Sequence, residues 1–129
     1  MKLPPFEYAA PRSLPEATAL LAAHGGDARP IGGGQSLLPL MAFRLASPSL
    51  LVDLSDIPGL ADIAVRDDGV HLGALVRWCD IEASAALADA HPLLRKAVDS
   101  IAHYQVRNRG TVGGSLAHGD PAAELPASP

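Results

Sequence analysis

The sequence predicts a mixed fold of short helices and strands in two parts, each carrying a glycine-rich segment. Three observations lead there. Apolar residues recur at helical spacing in some stretches and at alternate positions in others. Turn residues at Asp56-Ile57-Pro58-Gly59 interrupt the apolar pattern near mid-chain. Glycine gathers in two separate clusters, one in each half.

Taken in order, the chain starts extended, and Ser13-Leu14-Pro15-Glu16 then has the spacing of a capping box. Leu14, Ala17 and Leu21 follow at helical intervals and Gly25-Gly26 can close the helix in a left-handed cap, so a helix is expected over 14–24. Ala28 to Ile31 is a short apolar approach to Gly32-Gly33-Gly34. Leu37 to Leu45 reads as another short helix beginning near Ser36, and Leu50 to Leu54 as a buried strand. Beyond the break, Ile63 and Val65 alternate, Asp67-Asp68-Gly69 turns, and Val70 and Leu72 resume, which is a hairpin signature. Asp80 can cap a helix over 81–88. His91-Pro92 can open another, with Leu94, Ala97, Val98 and Ile101 on one face and Arg95, Lys96, Asp99 and His103 on the other. From Gln105 the chain turns polar, then glycine-rich, then acidic, and reads as loop.

Composition bounds the function. The 129 residues are 48% hydrophobic and 19% charged, which suits a folded domain with a core. The net charge of −4 has no run of like charges, so no nucleic-acid footprint is expected. No stretch approaches the roughly 20 apolar residues of a membrane span, and the Met1 to Pro5 start has no apolar signal region. Cys79 is the single cysteine, which excludes an internal disulfide and a thiolate zinc cage and points to a reducing, cytoplasmic setting. The five histidines have no tight metal spacing, so no metal site is expected. Ser115, His118 and Asp120 are the residue types of a hydrolase triad but crowd into one short stretch, where three side chains rarely align. No acid, base or nucleophile is assigned, Trp78 is read as a packing residue, and Cys79 as a small buried hydrophobe.

The chemistry therefore lies with the glycines. Gly32-Gly33-Gly34-Gln35-Ser36 follows an apolar strand-like run and precedes a helix start, so its backbone N–H groups could meet an anion. Leu37 stands where a dinucleotide fingerprint needs its third glycine, and no Gly-Lys-Ser/Thr follows, so an ordinary tight turn remains an equal reading. The second cluster, Arg109-Gly110-Thr111-Val112-Gly113-Gly114-Ser115, again mixes glycine with hydroxyls. Together the two could hold both phosphates of a dinucleotide. Arg107 and Arg109 are either phosphate contacts or solvated charges.

Gly33 to Leu40 and Val106 to His118 together resemble the two flavin-contacting segments of the FAD-binding (medium) subunit of molybdenum hydroxylases, the group of aerobic carbon monoxide dehydrogenase and xanthine dehydrogenase. The resemblance extends to Lys2–Tyr8, Leu51–Leu54 and Asp120–Pro126, and so spans essentially the whole chain. It implies an α+β fold, the two-lobed FAD-binding domain of the vanillyl-alcohol-oxidase (PCMH) type, with residues 1–56 as the first lobe and 57–129 as a shortened second lobe. It implies FAD as cofactor, with Gly32, Gly33, Gly34, Gln35 and Ser36 on one side of the pyrophosphate and Thr111, Gly113, Gly114 and Ser115 on the other. Glu124, and with it Asp120, falls near the flavin. Gly32 and Gly119 stand where relatives commonly have Ala. The implied partners are a large molybdopterin-binding subunit and a small subunit with two 2Fe–2S clusters. Electrons would pass from those clusters through FAD to an external acceptor. Because family members continue past Pro129, the chain resembles a shortened form, whose incomplete lobe is expected to self-associate. The rival expectations are a non-catalytic fragment or assembly module of the same fold and, further off, an autonomous flavin oxidase.

Overall fold

The computed structural model describes residues 2–122, in two compact units, Met1–Pro58 and Gly59–Pro129. Helices and strands are mixed in both, an α+β architecture.

In the first unit, β1 (Glu7–Ala9), β2 (Ala28–Ile31) and β3 (Leu50–Asp53) form a three-stranded sheet in the order β1-β3-β2, both pairings parallel. The central strand reads Leu50-Leu51-Val52, all three buried, the continuous apolar run of a strand covered on both faces. Helix α1 (Leu14–His24) packs on β2 and β3. Its Ser13 cap accepts from the Glu16 N–H at 3.3 Å, but the Glu16 carboxylate reaches past Ser13 to the Arg12 N–H at 3.0 Å. Ala17 is buried while Leu14 is 52% exposed, so the packed stripe does not begin at Leu14. Gly25 ends the helix at φ +53, ψ −136, outside the left-handed helical region, and leads into a 3-10 turn, Gly25–Asp27. The expected left-handed cap is therefore replaced by a tighter turn that carries the chain straight into β2. Helix α2 (Leu37–Ala42) is shorter than expected. Arg44 takes φ +59, and the Leu45 and Ala46 N–H groups both return to the Leu40 carbonyl, which closes the helix before Leu45.

In the second unit, β4 (Ile63–Arg66) and β5 (Gly69–Leu72) form the expected antiparallel hairpin, with Arg66 opposite Gly69 across Asp67-Asp68. Their Ile63, Val70 and Leu72 pack against a core of Val76, Trp78, Ile81, Leu87, Leu94, Val98, Ile101 and Val112. The single helix expected over 81–88 is two helices, α3 (Trp78–Ala83) and α4 (Ala85–Ala90). Asp80 is not the cap of either. It sits one turn inside α3 and accepts from the Arg77 N–H at 3.0 Å, while Ser84 ends α3 and caps α4 through the Leu87 N–H. Helix α5 (Pro92–Asp99) opens on His91, whose Nδ1 accepts from the Leu94 N–H at 3.2 Å, and buries Leu94 and Val98. The stretch expected to be loop forms two further helices, α6 (Tyr104–Arg107) and α7 (Val112–His118). Thr111 makes the second possible: its side chain accepts from the Gly114 N–H and offsets the poor helix propensity of paired glycines. Trp78 is a core residue as expected, at 3% exposure. Cys79 is only half-buried.

Candidate functional site

Ligands of parallel sheets collect outside the carboxyl ends of the strands, and the first glycine segment leaves the carboxyl end of β2. Gly34 takes φ +72, where a side chain would be strained and its Cβ would meet Leu38 Cδ1 at 3.0 Å. Three carbonyls of this segment are occupied: Gly33 accepts from Gln35 Nε2, Gly34 from the Leu38 N–H and Ser36 from the Leu40 N–H. The amides are not. Among the described residues no acceptor takes the backbone N–H of Gly32, Gly33, Gly34, Gln35 or Ser36. Ser36 occupies the cap position of α2, yet its hydroxyl caps nothing and stays exposed. A run of open donors with glycine on its inner turn is the chemistry of an anion nest.

The second segment is built the other way. Thr111 is buried at 5%, and its Oγ1 accepts from the Gly114 N–H at 3.2 Å. The Val112 N–H donates to the Val76 carbonyl at 2.9 Å and the Gly113 N–H to the Ala74 carbonyl at 2.8 Å. The Ser115 N–H closes the first turn of α7 on the Thr111 carbonyl. The donors left for a ligand are hydroxyls: Ser115, and the proton of the Thr111 hydroxyl, whose lone pair already serves Gly114. Gly110 and Gly113 serve packing. A Cβ at Gly110 would meet Trp78 Nε1 at 2.9 Å, and one at Gly113 would meet the Ala74 carbonyl oxygen at 2.8 Å. Gly119 caps α7 at φ +65, which explains glycine at that position better than alanine would.

Asp120 is exposed and its Oδ1 accepts from the Ala122 N–H at 2.9 Å, an Asx turn. Glu124 lies outside the described residues. Arg107 is neither a solvated charge nor a free phosphate contact. Its Nη1 donates to the Ile101 and Ala102 carbonyls at 2.9 and 3.3 Å, and its Nε stands 3.0 Å from Glu82 Oε1. Arg109 is exposed.

One polar cluster was missed by sequence reasoning. At the carboxyl end of β3, Asp53 accepts from the Tyr8 hydroxyl on β1 and, through Oδ1, from the Ser55 N–H at 2.9 Å and its hydroxyl at 2.6 Å. Partial burial pushes the Asp53 carboxyl up, but the hydrogen bonds from Ser55 and Tyr8 outweigh it and hold the group below its ordinary value. The same hydrogen bond raises the Tyr8 phenol. The Asp-x-Ser spacing is the signal for such a turn, although nothing in the sequence pairs it with Tyr8. Cys79 is pushed up by burial and by the neighbouring Asp80, which keeps its thiol protonated.

Comparison with known proteins gives the family. Residues 4–128 match the family described as FAD binding domain in molybdopterin dehydrogenase. The alpha subunit of the 6-hydroxypseudooxynicotine dehydrogenase complex of Paenarthrobacter nicotinovorans is 51% identical over 126 residues, which are 98% of this chain and 43% of that protein. Carbon monoxide dehydrogenase from Hydrogenophaga pseudoflava superposes with a TM-score of 0.95 at 46% identity, covering 98% of this chain and 44% of that one. Quinoline 2-oxidoreductase from Pseudomonas putida 86 superposes at 0.93 with 48% identity and the same coverage. The chain thus spans less than half the length of the relatives it matches. Among the described residues no helix is long and apolar enough to cross a membrane. With its fold and its sequence in agreement, the chain belongs to the family of FAD-binding domains of molybdopterin dehydrogenases, the medium-subunit type of the molybdenum hydroxylases.

Proposed function

We propose that this chain holds FAD for a molybdenum-containing dehydrogenase, receiving electrons from the iron–sulfur clusters of a small partner subunit and yielding them to an external acceptor. Substrate oxidation then falls to a large molybdopterin-binding subunit. The observation that carries the reading is the run of open backbone donors at Gly32 to Ser36. FAD, when bound, supplies the redox chemistry. The protein's part is to bind and orient it. Gly32 to Ser36 offer amide donors to the pyrophosphate, with Gly34 keeping the turn compact, while Thr111 and Ser115 offer hydroxyls, Gly113 lets them stand where they do by packing on Ala74, and exposed Gly114 leaves the approach clear. Asp120 and Glu124 complete the proposed contacts. The reducing cytoplasm is the proposed setting, with Cys79 a free thiol.

The test is a titration of the purified chain with FAD, ADP and riboflavin. FAD and ADP should compete for one site and riboflavin, which has no pyrophosphate, should not bind. Riboflavin binding as tightly as FAD would refute the pyrophosphate reading. Gly114→Asp should abolish FAD binding by placing bulk and negative charge at the segment. An acidic residue near a helix N-terminus is otherwise favourable, so the fold should survive. Undiminished FAD binding in that variant removes the second segment from the site.

A second reading, a non-catalytic assembly module, is favoured by one observation: the amides of Val112, Gly113 and Gly114 are all used within the fold. On that reading Gly114→Asp changes local stability alone.

A further inference from the structure

Arg107 is the last residue of α6, and its guanidinium faces inward, 18% exposed, against Glu82 of α3, 22% exposed. Nη1 serves two carbonyls, Ile101 and Ala102, in the turn that joins α5 to α6. Ala102 stands at φ +37, a strained conformation for a residue with a side chain, and the structure holds it there with a cation on its carbonyl. The buried Nε–H lies 3.0 Å from Glu82 Oε1 but is not aimed at it, so the pair attracts as charges while that N–H lacks a hydrogen-bond acceptor.

Between Arg107 and the second glycine segment there is no slack. The Arg109 and Gly110 N–H groups both return to the Val106 carbonyl. The Gly110 carbonyl accepts from the Trp78 N–H, the backbone of Gly110 lies too close to the Trp78 ring for a Cβ, and Thr111 bridges to Arg77. A shift of α6 must therefore move Thr111 and the start of α7.

We infer that Arg107 is the positioning residue of the second glycine segment: rather than meeting a phosphate, its guanidinium ties the α5–α6 turn to α3 and so sets where Thr111 and the first turn of α7 stand. Lysine cannot replace it, since a point charge on a flexible stem does not hold two carbonyls and a carboxylate at once. The consequence for flavin affinity rests on the proposed function. The consequence for the segment itself does not.

The test is amide hydrogen exchange of the 15N-labelled chain, wild type against Arg107→Lys, with Glu82→Gln as a milder second variant that keeps the shape of the pair. In Arg107→Lys the amides of Val112, Gly113 and Gly114 should exchange about tenfold faster or more, while Val98 in the core of the same unit stays within about twofold. Glu82→Gln should change the same three amides in the same direction by less. Equal acceleration of Val98 and the three amides would reduce Arg107 to general stability, and unchanged protection of the three would refute the inference outright. In a parallel FAD titration, Arg107→Lys should weaken binding about tenfold. If wild type binds FAD and Arg107→Lys binds it equally well, the positioning role is overturned. If wild type does not bind FAD, the flavin reading fails while the amide comparison still decides the role of Arg107.

Discussion

Gly113→Ala separates a packing glycine from a binding glycine. The new Cβ would stand 2.7 Å from Ala74 Cβ and 2.8 Å from the Ala74 carbonyl oxygen, neither of which is the free end of a flexible side chain. Relief requires α7 to move away from the turn at 73–77, which stretches the 2.8 Å bond from the Gly113 N–H to the Ala74 carbonyl. Overpacking of this kind costs about 1–3 kcal/mol, and a weakened hydrogen bond adds about 1 kcal/mol. The better helix propensity of alanine returns about 1 kcal/mol. The net destabilisation is about 1–3 kcal/mol, a fall of roughly 1 M in urea midpoint at an m value near 2 kcal/mol/M. Gly114→Ala is the matched control. Its Cβ would meet only Thr111 Oγ1, at 2.8 Å, so the loss of the cap, about 1 kcal/mol, is offset by helix propensity. Trp78, the single tryptophan, is buried in the core of the same unit and reports the transition by fluorescence. If Gly113→Ala keeps the wild-type midpoint, or unfolds no earlier than Gly114→Ala, then the close approach of α7 to Ala74 is wrong.

The remaining predictions concern the first unit and the thiol. Ser13→Ala removes the cap of α1 and should cost about 1 kcal/mol, measured as an earlier thermal transition by circular dichroism. Asp53 has its folded carboxyl held below the unfolded value near 3.9, so its contribution is present above about pH 4 and is lost as pH falls through the depressed folded value. Asp53→Asn should therefore flatten the acid limb of the stability curve, and Tyr8→Phe should return the carboxyl toward its ordinary value, read by 13C NMR of the carboxyl carbon. Cys79, with its thiol raised by burial and by Asp80, should react with a disulfide reagent at pH 8 more slowly than free cysteine; a faster reaction would mean that the thiolate is stabilised by a group the structure does not place there.

Where the sequence pattern was local, the fold followed from it. The hairpin at Asp67-Asp68-Gly69 and the caps at Ser13 and His91 each depend on residues three or four apart, so their chemistry is visible in a short window. The structure departs from local pattern where distant backbone intervenes. Asp80 has the composition of a cap, but the segment before it bridges to Thr111, which starts α3 at Trp78 and moves Asp80 inside the helix. Residues after Gln105 have the composition of loop, yet Val112 is anchored by the Val76 carbonyl and buried in the core, and that contact makes a helix of a glycine pair. The sequence around Arg107 does not separate solvent from phosphate, because its partners, Glu82 and the carbonyls of Ile101 and Ala102, lie at other points of the chain.

The two glycine segments look alike as strings and differ in what glycine does. In the first, positive φ at Gly34 bends the chain so that successive amides remain open, and the proposed binding rests on donors the described fold leaves unused. In the second, the amides are spent on Val76, Ala74 and Thr111, and glycine is required because Trp78 and Ala74 leave no room for a Cβ. A residue that must be small for packing and one that must be small for a ligand give the same letter. They are told apart by where the neighbouring N–H groups go, a question of backbone accounting that needs the fold. It follows that substitutions in the first segment should act mainly on affinity and those at Gly110 and Gly113 mainly on stability, with Gly114, exposed and crowded by one hydroxyl alone, the position at which the second segment's part in binding can be read without unfolding the protein.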